Sequence, residues 1–222
     1  MAITEIIHFG VQPVLDAHPS QTTVDDTFQK AAKALGEAKT PQHFAVGTQI
    51  QNQGAVQITS EWDGDQDSVN IENTPERDSF LQSVRSFFGE PCSIFHVTLD
   101  RSAFGADGPA TANVVEFVQT FFPSSRVTPE FQKQIGEDFL RFDEIYKEGA
   151  KGSLSWACGW VLEEQDHENI KGEKAKSFFV TRGWESMKHF EQSVNNDAYK
   201  TAIPLLLAWN APWKMWHVER KP

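Results

Sequence analysis

Hydrophobic and polar residues recur with regular periods in the first half of the chain, and these periods predict six elements. Alternation with a period of two is typical of a strand, whereas apolar residues three and four apart indicate a helix. The predicted order is a strand (3–11), a helix (Thr23–Leu35), two strands (Phe44–Ile50 and Val56–Trp62), a helix beginning near Pro75, and a strand (Cys92–Leu99). The first half therefore reads β-α-β-β-α-β.

The second half of the chain repeats this order. Its predicted elements are a strand (112–121), a helix (Pro129–Tyr146), two strands (154–163 and 177–184), two helices (185–194 and 197–207) and a strand (213–220). Both halves end on an aromatic-His-Val strand, Ile94-Phe95-His96-Val97 in the first and Met215-Trp216-His217-Val218 in the second. An order that recurs at half the chain length indicates a duplicated unit.

The small, Gly- and Pro-containing stretch 102–111 breaks every periodicity and predicts a linker. We therefore predict an N-terminal half over residues 1–103, a linker over 104–111 and a C-terminal half over 112–222. The loop Glu164–Lys174 of the second half is much longer than the turn Gln51–Gly54 of the first. It is interpreted either as a solvated excursion or as a flap over one mouth of a cavity.

The β-α-β-β-α-β order is that of a ferredoxin-like unit, in which two helices cover one face of a four-stranded antiparallel sheet. The other face of such a sheet must also be covered, and two identical units can cover each other. The predicted fold class is thus α+β, with two tandem ferredoxin-like units that form an intramolecular pseudo-dimeric α/β barrel of eight strands.

One stretch carries a more specific resemblance. The run Arg182–Ser193, RGWESMKHFEQS, resembles the signature of the dimeric α/β-barrel superfamily, especially its antibiotic-biosynthesis-monooxygenase and stress-responsive branches. In that signature a strand ends in a Trp-Glu-Ser-like triplet, and a helix with His and then Ser follows. The first half keeps Glu61-Trp62-Asp63 without the matching His. The resemblance implies a pseudo-dimer within one chain, and the tandem form suggests a fungal relative in secondary metabolism or stress responses.

Composition narrows the range of partners. A formal net charge of −11 argues against a nucleic-acid surface, because phosphate binding depends on clustered Lys and Arg. The first residues show no signal-peptide pattern, and no segment approaches the roughly 20 apolar residues of a membrane span, so a cytoplasmic protein without membrane contact is predicted. Seven Trp and 17 Phe favour either large core side chains or an apolar cavity with flat walls.

Four residues are candidates for catalysis. Alternate side chains of a strand face opposite sides of the sheet, and the more apolar set of the last strands is expected to face the helices. That assignment puts His96 and His217 in the barrel interior at equivalent positions, and the same reasoning pairs His8 with Glu116. A histidine can move a proton near neutral pH, and burial raises the pKa of a carboxyl group toward that of a useful base. Each of them could equally be a hydrogen-bonded structural group.

Further residues are candidates for substrate binding. Trp156 and Trp160 lie four apart on one strand and hence on one face, where they line a pocket or fill the core. Met215 shares a strand face with His217. Glu61 ends its strand and either points inward or is solvated. The predicted substrate-binding residues are thus Glu61, Trp156, Trp160 and Met215.

Two functions remain open. The favoured hypothesis is a small-molecule tailoring enzyme that binds an apolar polyketide- or terpenoid-like substrate in the barrel and performs monooxygenation, cyclisation or isomerisation by His/Glu acid–base chemistry. No dinucleotide, phosphate-loop or nucleophile-elbow motif occurs, so no cofactor and no metal are predicted. The alternative is a non-catalytic ligand-binding or stress-responsive barrel protein. A monomer is expected, with a homodimer still open, because the second half replaces a partner subunit.

Overall fold

The computed structural model describes residues 2–10, 33, 41–52, 54–62 and 75–221. The predicted helix Thr23–Leu35 lies outside these residues except for Lys33. The described strands are β1 (Ile3–Gly10), β2 (His43–Gln49), β3 (Ala55–Trp62), β4 (Ser93–Leu99), β5 (Val114–Pro123), β6 (Ser153–Val161), β7 (Ala175–Trp184) and β8 (Trp213–Arg220). The described helices are α1 (Pro75–Phe88), α2 (Pro129–Tyr146), α3 (Met187–Ser193) and α4 (Asp197–Leu207).

The strands close into one antiparallel barrel in the order β1-β3-β2-β8-β5-β7-β6-β4. The first four strands are neighbours in the order β2-β3-β1-β4. The last four strands are neighbours in the equivalent order, β6-β7-β5-β8. The two sets meet at two seams, β2 with β8 and β4 with β6. The predicted α+β class with a closed eight-stranded antiparallel barrel is thereby confirmed for the part of the chain that the structure describes.

Each seam brings a glycine against the facing strand. A Cβ atom on Gly47 of β2 would collide with Val218 and the carbonyl oxygen of Glu219 in β8. A Cβ atom on Gly159 of β6 would overlap the carbonyl oxygen of Thr98 in β4. Glycine in a strand is typical of such close approach. The two seams therefore depend on a residue without a side chain.

The barrel interior is filled by apolar side chains. Phe95, Phe117, Phe179 and Trp216 form its centre, with the Phe117 and Trp216 rings stacked at a centroid distance of 5.6 Å. A void of about 10 Å³ is left beside Gln57 and Phe117. An eight-stranded barrel is just wide enough for side chains to fill. The sequence predicts a substrate cavity inside the barrel, but the described residues do not form one there.

The predicted assignment of strand faces was wrong for the last strand of each half. Phe95, Val97 and Leu99 point into the barrel, as do Trp216 and Val218, whereas Ile94 and Met215 pack against the helices. His96 and His217 alternate with the interior set and therefore lie on the helix side. Glu116 was also misplaced, because its neighbours Val115 and Phe117 belong to the interior. The narrow interior takes the large apolar side chains, and this leaves polar positions under the helices.

Helices α2 and α4 cover the outer face of the second half, with local sequence signals at their first residues. The Thr128 side chain accepts a hydrogen bond from the Phe131 amide, and Pro129 occupies the first turn of α2. The Asn196 side chain accepts from the Tyr199 amide at the start of α4. These caps fix the two helices that enclose the candidate site. No helix among the described residues is long and apolar enough to cross a membrane.

Candidate active site

Two Glu–His pairs occupy equivalent register positions in the two halves. Ile3 of β1 faces Trp62, and Val114 of β5 faces Trp184, so Glu5 corresponds to Glu116. Glu5 lies opposite His96, and Glu116 lies opposite His217. The β-carbons of such cross-strand neighbours are about 4.5–5.5 Å apart. The partner of Glu116 in the first half is therefore Glu5, and not His8 as the sequence alignment predicted.

The first pair is closed by a network of charged groups. Glu5 Oε1 accepts from Arg77 Nε of α1 at 2.7 Å and from His96 Nε2 at 3.0 Å. Ser60 donates to Glu5 Oε2 at 3.4 Å. On its other side, His96 Nδ1 donates to Glu163 Oε1, and the His96 amide donates to Glu163 Oε2 at 3.0 Å. Both ring nitrogens thus donate to carboxylates, which is the pattern of a protonated imidazolium.

The protonation states in this network follow from its contacts. Burial by itself lowers the pKa of His96, but the hydrogen bonds to Glu163 and Glu5 overcome that effect and raise it to about 9. Burial opposes ionisation of Glu5, yet its hydrogen bond with His96 and the charge of Arg77 keep its pKa below the usual value. The first pair is an ion pair at neutral pH with no free oxygen directed at a ligand.

The second pair lies beside an open cavity. Trp184 Nε1 donates to Glu116 Oε2 at 2.7 Å, and part of the Glu116 surface is exposed to the cavity. Burial raises the pKa of Glu116, and the nearby charge of Arg182 offsets only part of that rise. The Arg182 charge is itself neutralised by Asp143, at 2.5 Å from its Nη2 atom. Glu116 is therefore a carboxyl group whose pKa lies above its usual value, and such groups in a cleft are typical of functional sites.

His217 is neutral where His96 is charged. Burial lowers the pKa of His217 to about 4. Gln51 contacts its Nδ1 atom at 2.7 Å, and the Phe190 ring lies at a centroid distance of 4.2 Å. His217 Nε2 is buried without a hydrogen-bond partner among the residues that the structure describes. This atom is enclosed by protein, and His217 is not among the residues that line the cavity.

The cavity has a volume of about 680 Å³ and lies between the outer face of the second-half sheet and helices α2, α3 and α4. This volume is within the range of about 300–1,000 Å³ that is typical of small-molecule sites. Its polar and charged lining residues are Glu116, Thr120, Tyr146, Asn169, Arg182, Tyr199 and Asn210. Its apolar walls include Val118, Phe139, Phe142, Phe178, Val180, Phe190, Ile203, Leu206, Trp209, Trp213 and Met215.

Tyr146 connects the polar end of the cavity to helix α3. Its hydroxyl lies 2.5 Å from Ser193 Oγ, and the Arg182 guanidinium lies 5.2 Å from the centre of its ring. Burial raises the pKa of Tyr146, and the charge of Glu116 adds to the rise. The phenol therefore stays protonated and serves as a hydrogen-bonding wall.

The structure brings together three of the predicted site residues and separates the others. Glu116 and Met215 line the cavity, and His217 lies next to Glu116. His8 is in the barrel interior, as predicted, between Gln57 and Ser93, where burial lowers its pKa to about 4. His96 belongs to the closed network of the first half.

The remaining predicted residues have structural contacts. Glu61 accepts hydrogen bonds from Ser102 Oγ at 2.8 Å and from the Ala103 amide at 3.1 Å, so it holds the segment that follows β4. Trp156 donates to Asp143 Oδ2 at 2.8 Å, and Trp160 packs on Phe178. Both tryptophans are on the helix side, among the residues that pack on the second-half core, and neither lines the cavity.

Sequence reasoning missed Arg182, Trp184, Tyr146, Tyr199 and Gln51 as parts of the site. A signal existed for two of them, because Arg182 and Trp184 belong to the stretch Arg182–Ser193 that resembles the superfamily signature. The long loop also reaches the site, because Asn169 lines the cavity. This position of Asn169 favours the flap interpretation of the loop. Within the described ranges, no group of three or more His, Cys, Asp or Glu side chains is arranged to hold a metal ion.

The opposite pKa changes of the histidines predict a stability maximum near neutral pH. His96 has a raised pKa, so its contribution is complete below about 6.5 and is lost as the pH rises through about 9. His8 and His217 have lowered pKa values, so their contribution is present above about 6.5 and is lost as the pH falls through about 4. Urea unfolding at a series of pH values tests both limbs. Glu163→Gln should flatten the alkaline limb, and an unchanged limb in that variant would contradict the assignment to His96.

Comparisons with known proteins give the fold. No family model matches the chain, and no curated protein matches it. A candidate monooxygenase from Lactobacillus acidophilus is 9% identical, with a TM-score of 0.55 over 100% of this chain and 94% of that one. A candidate monooxygenase from Fusobacterium nucleatum is 12% identical, with a TM-score of 0.55 over 100% and 93%. A candidate chlorite dismutase is 8% identical, with a TM-score of 0.58 over 99% and 94%. The chain thus shares the ferredoxin-like α/β-barrel fold of these proteins.

Proposed function

We propose that this chain is an enzyme that binds an apolar, polyketide- or terpenoid-like small molecule between the sheet and helices of its second half. It performs cofactor-free monooxygenation, or cyclisation or isomerisation, by acid–base chemistry. The observation that carries the proposal is the cavity of about 680 Å³ whose walls are apolar and whose polar end holds Glu116, a carboxyl group with a raised pKa. A strongly perturbed carboxyl group in a cleft is a typical feature of catalytic sites.

We also propose a tandem, fungal-type member of the antibiotic-biosynthesis-monooxygenase-like branch, with halves at 1–103 and 112–222 joined by the linker 104–111. The equivalent registers of Glu5 with Glu116 and of His96 with His217 support a pseudo-dimer within one chain. The fold shared with two candidate monooxygenases supports the same placement. One chain then supplies what two subunits supply in a dimer, so the protein acts as a monomer.

For oxygenation, the substrate is a phenolic ketone with an acidic methylene group. Glu116 as carboxylate removes a proton from the methylene carbon, and an enolate forms in the cavity. His217, which lies next to Glu116 but does not line the cavity, stays neutral and does not draw Glu116 into an ion pair. The enolate supplies electrons to dioxygen, and a carbon–oxygen bond forms to give a peroxide that takes up a proton from Glu116. Loss of the second hydrogen of that carbon and cleavage of the oxygen–oxygen bond release water. The net change is CH₂ plus O₂ to C=O plus H₂O.

For cyclisation or isomerisation, the same groups act without dioxygen. Glu116 removes a proton from carbon, and the resulting enolate attacks a carbonyl carbon of the same molecule or is reprotonated at a new carbon. The aromatic walls formed by Phe139, Phe178 and Trp209 hold the ring system in a reactive position. The proton returns from Glu116, so no electrons are exchanged with a second reactant.

The test uses a tricyclic phenolic ketone with one activated methylene group, an anthrone, as the probe. Calorimetry measures binding, and an oxygen electrode with ¹⁸O₂ labelling measures oxygenation. Uptake of one ¹⁸O atom at the methylene carbon supports the oxygenase. Enzyme-dependent exchange of the methylene hydrogens with D₂O, without oxygen uptake, supports the acid–base branch. Binding without either reaction favours the alternative, a ligand-binding protein, and failure to bind this or related ring systems overturns the proposal.

Filling the cavity should weaken binding of the anthrone probe. Leu206 lines the cavity, and a Leu206→Trp substitution adds a bulky ring to that wall. We expect the affinity for the probe to fall at least about tenfold, equivalent to about 1.4 kcal/mol. Leu140→Trp is the matched control, because Leu140 is 51% exposed on α2 and does not line the cavity. Equal affinity in both variants would place the ligand elsewhere.

A further inference from the structure

Gln51 lies two residues beyond β2 in the first half, yet it contacts His217 of the second half across the β2–β8 seam. The His217 amide donates to Gln51 Oε1 at 2.9 Å, and the Ile50 amide donates to the His217 carbonyl oxygen at 2.8 Å. Because a backbone N–H only donates, the amide oxygen of Gln51 must face it. The Gln51 NH₂ group therefore donates to His217 Nδ1 at 2.7 Å.

This contact fixes the tautomer of His217. A ring nitrogen that accepts a hydrogen bond carries no proton, so the single proton of the neutral ring is on Nε2. Nε2 is the buried atom without a hydrogen-bond partner among the described residues. In the first half the equivalent atom, His96 Nε2, donates to Glu5, so the matching register of His217 and Glu116 puts this Nε2–H group on the side of Glu116.

The other seam has the same arrangement with one chemical difference. Glu163 lies two residues beyond β6, the His96 amide donates to its Oε2 atom at 3.0 Å, and the Leu162 amide donates to the His96 carbonyl oxygen at 2.9 Å. His96 Nδ1 contacts Glu163 Oε1, and the equivalent atom, His217 Nδ1, contacts the side-chain amide of Gln51. Position 163 thus carries a carboxylate where position 51 carries an amide. His96 is the charged histidine of an ion pair, and His217 is neutral.

We infer that Gln51 is a positioning residue that holds His217 as a neutral Nε2–H donor beside Glu116, so that the first half completes the site of the second. The inference deepens the proposed function and rests on it for the role of Glu116 as the base. With a carboxylate at position 51, His217 would become a cation and draw Glu116 into an ion pair like that of Glu5 and His96. Glu116 would then no longer act as the base.

Other charged and titratable groups face this region from the packed elements. Glu116 comes from β5, Arg182 from β7, Tyr146 from α2 and Tyr199 from α4, while α3 contributes the apolar Phe190. Arg182 is paired with Asp143, and both tyrosines have raised pKa values, so neither tyrosine ionises near neutral pH. Residue 51 is therefore the position at which one substitution changes the charge next to His217 Nδ1.

The experiment is an NMR titration of the ¹⁵N-histidine-labelled full chain without substrate. In the wild type we expect His217 to show the Nε2–H tautomer and to stay neutral above pH 6. In Gln51→Glu its pKa should rise by about 2 pH units or more, toward the value of about 9 for His96. Glu163→Gln is the matched reverse variant and should lower the pKa of His96. Gln51→Ala should mix the two tautomers.

An Nδ1–H tautomer in the wild type, or a His217 that stays neutral below pH 6 in a folded Gln51→Glu, overturns the inference. If that variant does not fold, the wild-type tautomer and Gln51→Ala decide the result. These readouts need no turnover, so they stand or fall separately from the proposed reaction. If the anthrone is turned over, Gln51→Glu should lower kcat at neutral pH about tenfold or more with little change in affinity.

Discussion

Replacing Glu116 with Gln is expected to lower kcat at neutral pH by about 10²- to 10⁴-fold, the usual contribution of a general base. Affinity for the ligand should change little, because the amide preserves the shape of the cavity wall and can still accept from Trp184 Nε1. The wild-type kcat should fall as the pH drops through the raised pKa of Glu116, since the carboxylate is the active form. Steady-state kinetics with the anthrone probe, measured from acidic to neutral pH, tests both the loss of kcat in the variant and the fall of kcat in the wild type.

The stability of this variant separates loss of chemistry from loss of structure. A carboxyl group whose pKa is raised opposes folding as it ionises, so Gln at position 116 should leave the free energy of unfolding unchanged or slightly higher at neutral pH. Glu219→Gln is the control, because Glu219 is an exposed residue of β8 that pairs with Lys221. If Glu116→Gln retained full turnover, Glu116 would not be the base.

The elements were largely predictable from the sequence because their signals are local. Helix Pro129–Tyr146 follows from its apolar spacing and the Thr128-Pro129 start, and the strand 213–220 follows from its alternation. A closed barrel then followed from the need to cover the bare face of each sheet. The prediction of one closed eight-stranded barrel needed no information beyond the order of the elements.

The faces of the strands were harder to predict because both sides of the sheet are buried. Alternation separates a buried from a solvated face, but here one face meets helices and the other meets the opposite side of the barrel. Phe95 and Trp216 are large enough to pack on either side, and only the closed barrel shows that they fill its centre. The error placed His96, His217 and Glu116 together in the barrel interior. The predicted equivalence of His96 and His217 survived it, whereas the predicted equivalence of His8 and Glu116 did not.

The cavity itself could not be predicted from local sequence. Arg77 comes from α1 in one half, whereas Arg182 comes from the strand in the other, so alignment of the halves does not match the two cations. Gln51 and Glu163 lie in loops of different length. Their equivalence becomes clear only from the structure, in which Gln51 contacts His217 Nδ1 and Glu163 contacts His96 Nδ1. These are contacts between segments that are distant in the sequence, and the local pattern of hydrophobic and polar residues does not predict them.

The two halves thus use one arrangement for two purposes. In the first half, carboxylates on both sides of His96 and the guanidinium of Arg77 make a closed ion network that joins β1, β4, α1 and the segment after β6. In the second half, an amide replaces one carboxylate, the histidine loses its charge, and the remaining carboxyl group lies beside a cavity. We interpret the first site as the stabilising copy and the second as the active copy.

Replacing Glu5 with Gln tests this division, and it is expected to lower the free energy of unfolding by about 3–5 kcal/mol, the usual cost of removing one partner of a buried ion pair. The amide would leave the charge of Arg77 uncompensated by Glu5, and its NH₂ group would compete with the donors Arg77 Nε and His96 Nε2. Urea unfolding at neutral pH measures the loss. Glu116→Gln is the matched control at the equivalent position, with an expected change below about 1 kcal/mol, because the carboxyl group there is not part of a closed ion network. Turnover should show the reverse order, with Glu5→Gln active below its unfolding transition and Glu116→Gln inactive. Equal destabilisation by the two substitutions would mean that the halves are not specialised in this way.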